Sequence, residues 1–176
     1  MKINSIKDQL KEYFFLNPTS KLRVRQIERE LKLPLPSIIR YVKELVKEEI
    51  LQILDVSGVK FYTSNRSSFS YLLEKKLFNL KTIYRSGLLG ELITKSNNAT
   101  IVLFGSYSRG EDIETSDIDL YIEDTNILEK EFLKFEKKLN RKIQLFKYRN
   151  IKIIENKELT NNIINGIILN GRMEVF

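Results

Sequence analysis

Asp117 and Asp119, two acids separated by one residue, are the side chains in this sequence best placed to do chemistry. In a strand, residues i and i+2 project to the same side, so both carboxylates share a face while Ile118, Leu120 and Ile122 turn toward a core. Two ionised carboxylates at that spacing repel one another unless a divalent cation or another positive charge neutralises them. Magnesium does so and also accepts phosphate oxygens as ligands. Ten residues separate Asp117 from Ser106, which follows Gly105. A glycine there lets the backbone turn closely around a ligand and leaves neighbouring amides to point at anionic oxygens. Ser106 adds a hydroxyl. Arg109 adds a fixed positive charge, for phosphates or for Glu111 or Asp112. The combination describes a phosphate cradle beside a metal clamp.

The rest of the composition narrows the chemistry. The 176 residues include no cysteine and no histidine, which excludes disulfides, thiolate zinc sites, cysteine nucleophiles and imidazole bases. Any metal therefore sits on oxygen ligands: magnesium, manganese or calcium. Apolar residues make up 42% and charged residues 30%, as in a globular chain. The apolar runs are too short to span a bilayer, and the charged N-terminus does not read as a signal peptide, so a cytoplasmic protein with no membrane partner is expected.

The elements that must position the acids follow from periodicity. Ile101 to Phe104 is a continuous apolar run, predicting a buried strand that breaks at Gly105-Ser106. Asp117-Ile118-Asp119 begins a second strand. Glu129 to Leu139 is predicted helical and Arg141 to Phe146 a third strand. Leu159, Ile163, Ile164, Ile167 and Ile168 recur at helical spacing, predicting a helix through Asn170 stopped by Gly171. Met173, Val175 and Phe176 are left as an edge strand or a dimer contact.

The first third reads differently. Residues 1–66 hold 13 basic and 8 acidic side chains, a net of +5 out of the chain's +7. That excess suits a polyanion partner, since neutralising phosphates releases counterions; a solvated lysine-rich surface is the alternative. Ile3, Ile6, Leu10, Tyr13 and Phe14 mark a helix capped by Ser5 with Asp8. Val24, Ile27 and Leu31 mark a second. Lys32 to Pro36 is a tight connection, because prolines bar helix continuation. A third helix turns Ile38, Ile39, Val42, Leu45, Val46 and Ile50 inward. Leu51 to Leu54 and Val59 to Tyr62 alternate as a hairpin about Asp55–Gly58. Ser64 to Ser68 is the candidate linker. Leu72, Leu73, Leu77, Leu80, Ile83 and Tyr84 predict a connecting helix, divided by Gly87 and Gly90 from a helical stretch ending near Ser96.

Two resemblances follow. Three helices and a hairpin over about residues 3 to 63 resemble the winged helix-turn-helix domains of prokaryotic regulators. By that resemblance Ser37, Arg40, Tyr41 and Lys43 on the third helix face DNA, and Lys60 on the wing touches its backbone. Winged helices also serve as protein-interaction modules. LFGSYSRGEDIETSDIDL, within a stretch of about residues 86 to 170, strongly resembles the minimal nucleotidyltransferases of the DNA polymerase beta superfamily, whose signature is Gly-Ser, ten residues, Asp-X-Asp.

The implied fold class is α+β: an N-terminal winged helix-turn-helix (1–66), a connecting helix (67–85) and a nucleotidyltransferase fold (86–176), a mixed sheet with helices on one side. The second resemblance implies nucleotide binding at Gly105, Ser106 and Arg109. It also implies magnesium or manganese at Asp117 and Asp119, the catalytic pair, with transfer of a nucleoside monophosphate from a nucleoside triphosphate. The family's third acid falls on a later strand, where this sequence has Gln144; an amide offers a metal only a neutral oxygen and is no base at neutral pH. Glu123 lies about 13 Å beyond Asp119 along its strand, and Glu155 fits only in another register. Two readings stay open: a magnesium-dependent transferase, or a DNA-binding, antitoxin-like regulator that binds nucleotide without turnover. Implied partners are a nucleoside triphosphate and DNA, with a toxin-like helical protein and a second copy of the chain as further candidates.

Overall fold

The computed structural model describes residues 5–123, 127 and 129–175. The chain forms two compact units, Met1–Phe78 and Asn79–Phe176.

The first unit has α1 (Ile6–Leu16), α2 (Val24–Leu31) and α3 (Leu35–Lys47), then the antiparallel hairpin β1 (Leu51–Val56) and β2 (Val59–Ser64). The Ser5–Asp8 capping box forms: the Ser5 hydroxyl accepts the Asp8 N–H at 3.1 Å, and Asp8 accepts the Ser5 N–H at 3.3 Å. Pro36 lies inside the first turn of α3, where its missing N–H costs nothing, so the connection is shorter than the two prolines suggest. Leu10, Phe14, Ile27, Ile38, Val42 and Leu45 are fully buried together. Ile39, expected inward, is 40% exposed, because one helical step from Ile38 carries it off the buried face. Ser57 and Gly58, both at positive φ, make the hairpin turn, and Asp55 accepts the Gly58 N–H at 2.9 Å. Leu22, between α1 and α2, exchanges two backbone hydrogen bonds with Tyr62 and so adds a third edge to the hairpin.

The polar stretch Ser64 to Ser68 is built into this unit rather than free. Ser64 is buried and donates to the Phe14 carbonyl at 3.0 Å. Ser68 donates to the Glu49 carbonyl at 2.8 Å and accepts the Tyr71 N–H at 3.0 Å, starting α4 (Phe69–Ser86). The division between the units falls within α4. Its buried positions are Tyr71, Lys75, Asn79, Ile83 and Ser86, whereas Leu73, Leu77 and Tyr84 are exposed. Of the apolar positions expected to pack, Ile83, Leu72 and Leu80 do so, while Leu73, Leu77 and Tyr84 do not.

The second unit continues with α5 (Leu88–Lys95), β3 (Ile101–Phe104), α6 (Gly105–Arg109) and β4 (Ile118–Glu123). A 3-10 turn at Glu129–Phe132 leads into α7 (Leu133–Leu139) and β5 (Ile143–Tyr148). A second such turn at Ile151–Ile153, α8 (Lys157–Ile164) and β6 (Ile167–Asn170) complete it. The sheet order is β5-β4-β3-β6, with β3 antiparallel to both neighbours and β4 parallel to β5. This is a mixed sheet in an α+β architecture. Alternation along the strands divides the core in two. Leu103, Leu120, Ile122 and Leu145 pack with Leu88, Leu92, Phe135 and Leu139 on one face. Val102, Phe104 and Tyr121 pack with Ile151, Ile154 and Ile163 on the other. Helical elements thus flank both faces, not one.

The expected helix through Asn170 stops at Ile164. Gly166 packs so tightly on β3 that a Cβ there would lie 2.7 Å from the Leu103 carbonyl oxygen. The chain turns, and Ile167–Asn170 pairs with β3 instead. Ile167 and Ile168 fit either period, and the open edge of β3 decides between them. β6 forms the sheet edge beside β3, and Met173 to Val175 lie outside any strand; Phe176 lies outside the described residues.

Candidate active site

The site begins where β3 ends. Phe104 pairs with Asp119 on β4, so the next residue, Gly105, meets the Asp119 side chain. Gly105 has φ +70, and a Cβ built on it would lie 2.1 Å from Asp119 Oδ2. Only glycine fits that backbone and that contact. Ser108 donates to the Gly105 carbonyl at 2.8 Å, and the Ser106 carbonyl accepts the Glu111 N–H at 3.0 Å. These bonds close the short helix α6 and its C-terminal turn directly after β3.

The return loop is fixed as firmly. Ile113 donates its N–H to the Ser116 hydroxyl at 2.9 Å, and Ser116 donates its N–H back to the Ile113 carbonyl at 3.0 Å. Asp117 follows this turn and immediately precedes β4. Asp119, half-buried, projects from β4 on the side opposite the buried Ile118 and Leu120. Burial holds the Asp119 carboxyl above the usual carboxylate range; the charge of Asp117 adds to this, and that of Arg109 opposes it. Asp117 and Arg109, both singled out by spacing, therefore act electrostatically on Asp119. Arg109 itself pairs with Glu111 at 2.7 Å, both half-exposed, one of the two partners its position suggested.

Gln144 is the register partner of Asp119 on the parallel strand β5, and it is exposed. Among the described residues no group of three or more Asp or Glu side chains gathers as a metal cage. Glu123 is engaged by the Tyr121 hydroxyl at 2.9 Å, and Glu155 lies after β5 in the connection to α8. Burial also pushes the Tyr107 and Tyr121 hydroxyls upward, with hydrogen bonding to Glu123 contributing at Tyr121.

Beneath the loop lies a polar cluster that spacing did not reveal. Asn79 donates to the Tyr107 carbonyl at 2.9 Å and to Asp112 at 2.7 Å. Arg141 approaches Asp112 at 4.0 Å, the two side chains being 6% and 0% exposed. This cluster pins the segment between Ser106 and Asp117 to the helical layer. Its members lie 62 residues apart at the extremes, Asn79 to Arg141, so no local pattern marks them. Beside Asp117, an open cleft of about 570 Å³ is lined by Ser116, Asp117, Lys137, Asn140, Arg141 and Lys142, among others.

In the first unit, Arg40 lies over the Tyr41 ring at 4.4 Å and donates to its hydroxyl at 2.6 Å. Arg40 and Lys43 are exposed on α3, Ser37 is half-buried in its first turn, and Lys60 is exposed on β2 opposite Asp55. Lys7 of α1 bonds Glu48, just past the end of α3, at 2.5 Å and Glu44 of α3 at 3.4 Å, which holds the Lys7 ammonium above its usual range.

No helix of the described chain is long and apolar enough to cross a membrane. No curated protein and no solved structure matches the chain. A family model does: that of the nucleotidyltransferase domain, over residues 85–172. The match takes in both strands, the Gly105–Ser106 turn and the two aspartates, and spans half the sequence. By that match, over the segment whose geometry gathers Gly105, Arg109, Asp117 and Asp119, the chain belongs to the nucleotidyltransferase-domain family.

Proposed function

We propose that the second unit binds a nucleoside triphosphate together with magnesium or manganese, and that it transfers a nucleoside monophosphate to an acceptor hydroxyl. The observation that carries this reading is the contact between Gly105 and Asp119, which sets a backbone able to approach phosphates directly against an acid. The donor set fits one hard cation. Asp119 is an acid whose ionised form is disfavoured by burial and by Asp117, the condition a divalent cation relieves. Bound there, the metal would neutralise phosphate charge.

The chain's own residues do the rest. Backbone around Gly105 and the Ser106 hydroxyl hold phosphate oxygens, Arg109 contributes positive charge, and Asp117 and Asp119 orient the cation's ligands. In the transfer, the acceptor oxygen bonds to the α-phosphorus while the bond to the bridging oxygen breaks. Pyrophosphate leaves with that electron pair, and the hydroxyl proton passes to solvent.

Gln144 beside Asp119 favours a second reading, in which nucleotide and one cation bind without turnover and the domain acts as a sensor. In both, the first unit is a winged helix presenting Ser37, Arg40, Tyr41 and Lys43 to DNA with Lys60 on the wing. Three helices, the hairpin and the Leu22–Tyr62 bridge support that assignment. Incubation with labelled nucleoside triphosphates, magnesium or manganese and candidate acceptors separates the two. Label transfer abolished by Asp117→Ala with Asp119→Ala marks the enzyme. Metal-dependent binding without transfer marks the sensor, and no binding at all overturns both.

A further inference from the structure

The cleft beside Asp117 has two chemically different walls. One carries Glu114, Thr115, Ser116 and Asp117, the acid end of the cleft. The other, at the end of α7 and the start of β5, carries Lys137, Arg141 and Lys142. Glu136 is the acid on that second wall, and it is spent on the Ile143 N–H, which it accepts at 2.8 Å. Lys137 and Lys142 are exposed, and among the described residues neither enters an ion pair. Arg141 is more unusual: its side chain is 6% exposed, and its Nε has no hydrogen-bond partner. One terminal nitrogen donates to the Asn140 carbonyl at 3.1 Å, and another stands 4.0 Å from Asp112. Asp112 is its buried anion, but a guanidinium with one buried donor still unused remains incompletely satisfied. Lys137 and Lys142 are thus the exposed cations that this wall leaves for an anion, with the incompletely bonded Arg141 behind them.

We infer that this cleft is the acceptor subsite and that it takes an acceptor bearing a phosphate group. The phosphate rests on the Lys137–Arg141–Lys142 wall, which leaves the acceptor's hydroxyl directed toward Asp117. The inference rests on the proposed nucleotide site, because the cleft opens beside Asp117. It does not share that site's metal requirement, since the binding wall is cationic. A nucleic-acid end and a small phosphorylated molecule present the same group to it.

The test uses the full chain in the presence of a chelator, with neither metal nor nucleotide. The Nε–Hε resonance of Arg141 and the amide resonances of Lys137 and Lys142 are followed while inorganic phosphate, and separately a short single-stranded oligonucleotide, is titrated. These signals report on the cleft alone, not on the first unit. The Arg141 resonance moves with saturation. The double variant Lys137→Ala, Lys142→Ala binds about tenfold more weakly, while its melting temperature and its metal-dependent ATP binding match those of the wild type. Tighter binding of the oligonucleotide than of phosphate identifies a nucleic-acid acceptor, and the reverse a small phosphorylated one. Resonances unmoved by either probe, or an unchanged affinity in the double variant, overturn the subsite. Loss of metal-dependent ATP binding in the wild type overturns the nucleotide site instead, whatever the phosphate titration gives.

Discussion

Gly105 and Asp119 occupy the same small volume: the space a side chain would need on the first is filled by the carboxylate of the second. The pairing of Phe104 with Asp119 brings them together, and the positive φ of Gly105 keeps them there. A turn built for close backbone approach and an acid built to hold charge are thereby one unit.

Gly105→Ala therefore meets two penalties, a strained φ and a collision with Asp119. Destabilisation of at least about 2 kcal/mol is expected. Metal-dependent nucleotide binding is expected to be lost, because the carboxylate must swing away. Thermal melts in a double-mutant cycle check the cause: in an Asp119→Ala background the same change should cost less. An equal cost in both backgrounds would show that the carboxylate is irrelevant.

Asp119 makes stability depend on pH in the less common direction. Its carboxyl titrates higher in the folded chain than in the unfolded one, through burial first and Asp117 second. The folded state then holds the proton more tightly, so this residue's contribution to stability falls as pH rises from the ordinary Asp range through the raised value. Asp119→Asn should remove that decline and raise the melting temperature at neutral pH. Magnesium should stabilise the wild type at neutral pH and leave the variant unchanged. A variant that melts lower than the wild type at neutral pH would contradict this.

Gln144 is in register with Asp119 across a parallel strand pair, so Gln144→Asp places a third acid beside the proposed cation site. We expect manganese binding to rise from one ion to two per chain, by calorimetry with a bound triphosphate analogue, and any label transfer to increase. Unchanged stoichiometry would mean that the position does not face the metal.

The buried Asp112 is held by Asn79 at 2.7 Å and faces Arg141. Asp112→Ala leaves a buried guanidinium without its anion, at a cost of about 3 kcal/mol. Asp112→Asn should retain part of this, since its amide oxygen still accepts from Asn79. Chemical denaturation distinguishes the two, and equal losses would argue against a hydrogen-bonded role.

Arg40 is braced over Tyr41, which under the proposed DNA-binding role would lower the entropy lost on meeting a base edge or phosphate. Arg40→Ala should weaken DNA binding by about 1–3 kcal/mol, and Lys43→Ala should weaken it uniformly across sequences while reducing its salt dependence. A gel-shift titration at two salt concentrations reads both. Wild-type behaviour in the two variants would remove α3 from the interface.

The nucleotidyltransferase domain of this chain was legible in its sequence because its signature is local. The glycine turn and the Asp-X-Asp pair each need only a few residues and the period of a strand, and their spacing brings them to adjoining strands. The hairpin of the first unit and the Ser5–Asp8 cap were legible for the same reason. What tertiary structure decided involves competition between distant partners. Ile167 and Ile168 suit a helix or a strand equally, and the unpaired edge of β3 takes them as a strand. The buried side of α4 carries Lys75 and Asn79 while Leu73 and Leu77 face outward, a choice made by the groups packed against the helix and not by its own hydrophobicity. The Asn79–Asp112–Arg141 cluster and the two-walled cleft join residues that neighbour one another only after the sheet has formed. Hydrogen-bond and charge satisfaction are pairwise properties of the folded chain, so no single segment carries their signature.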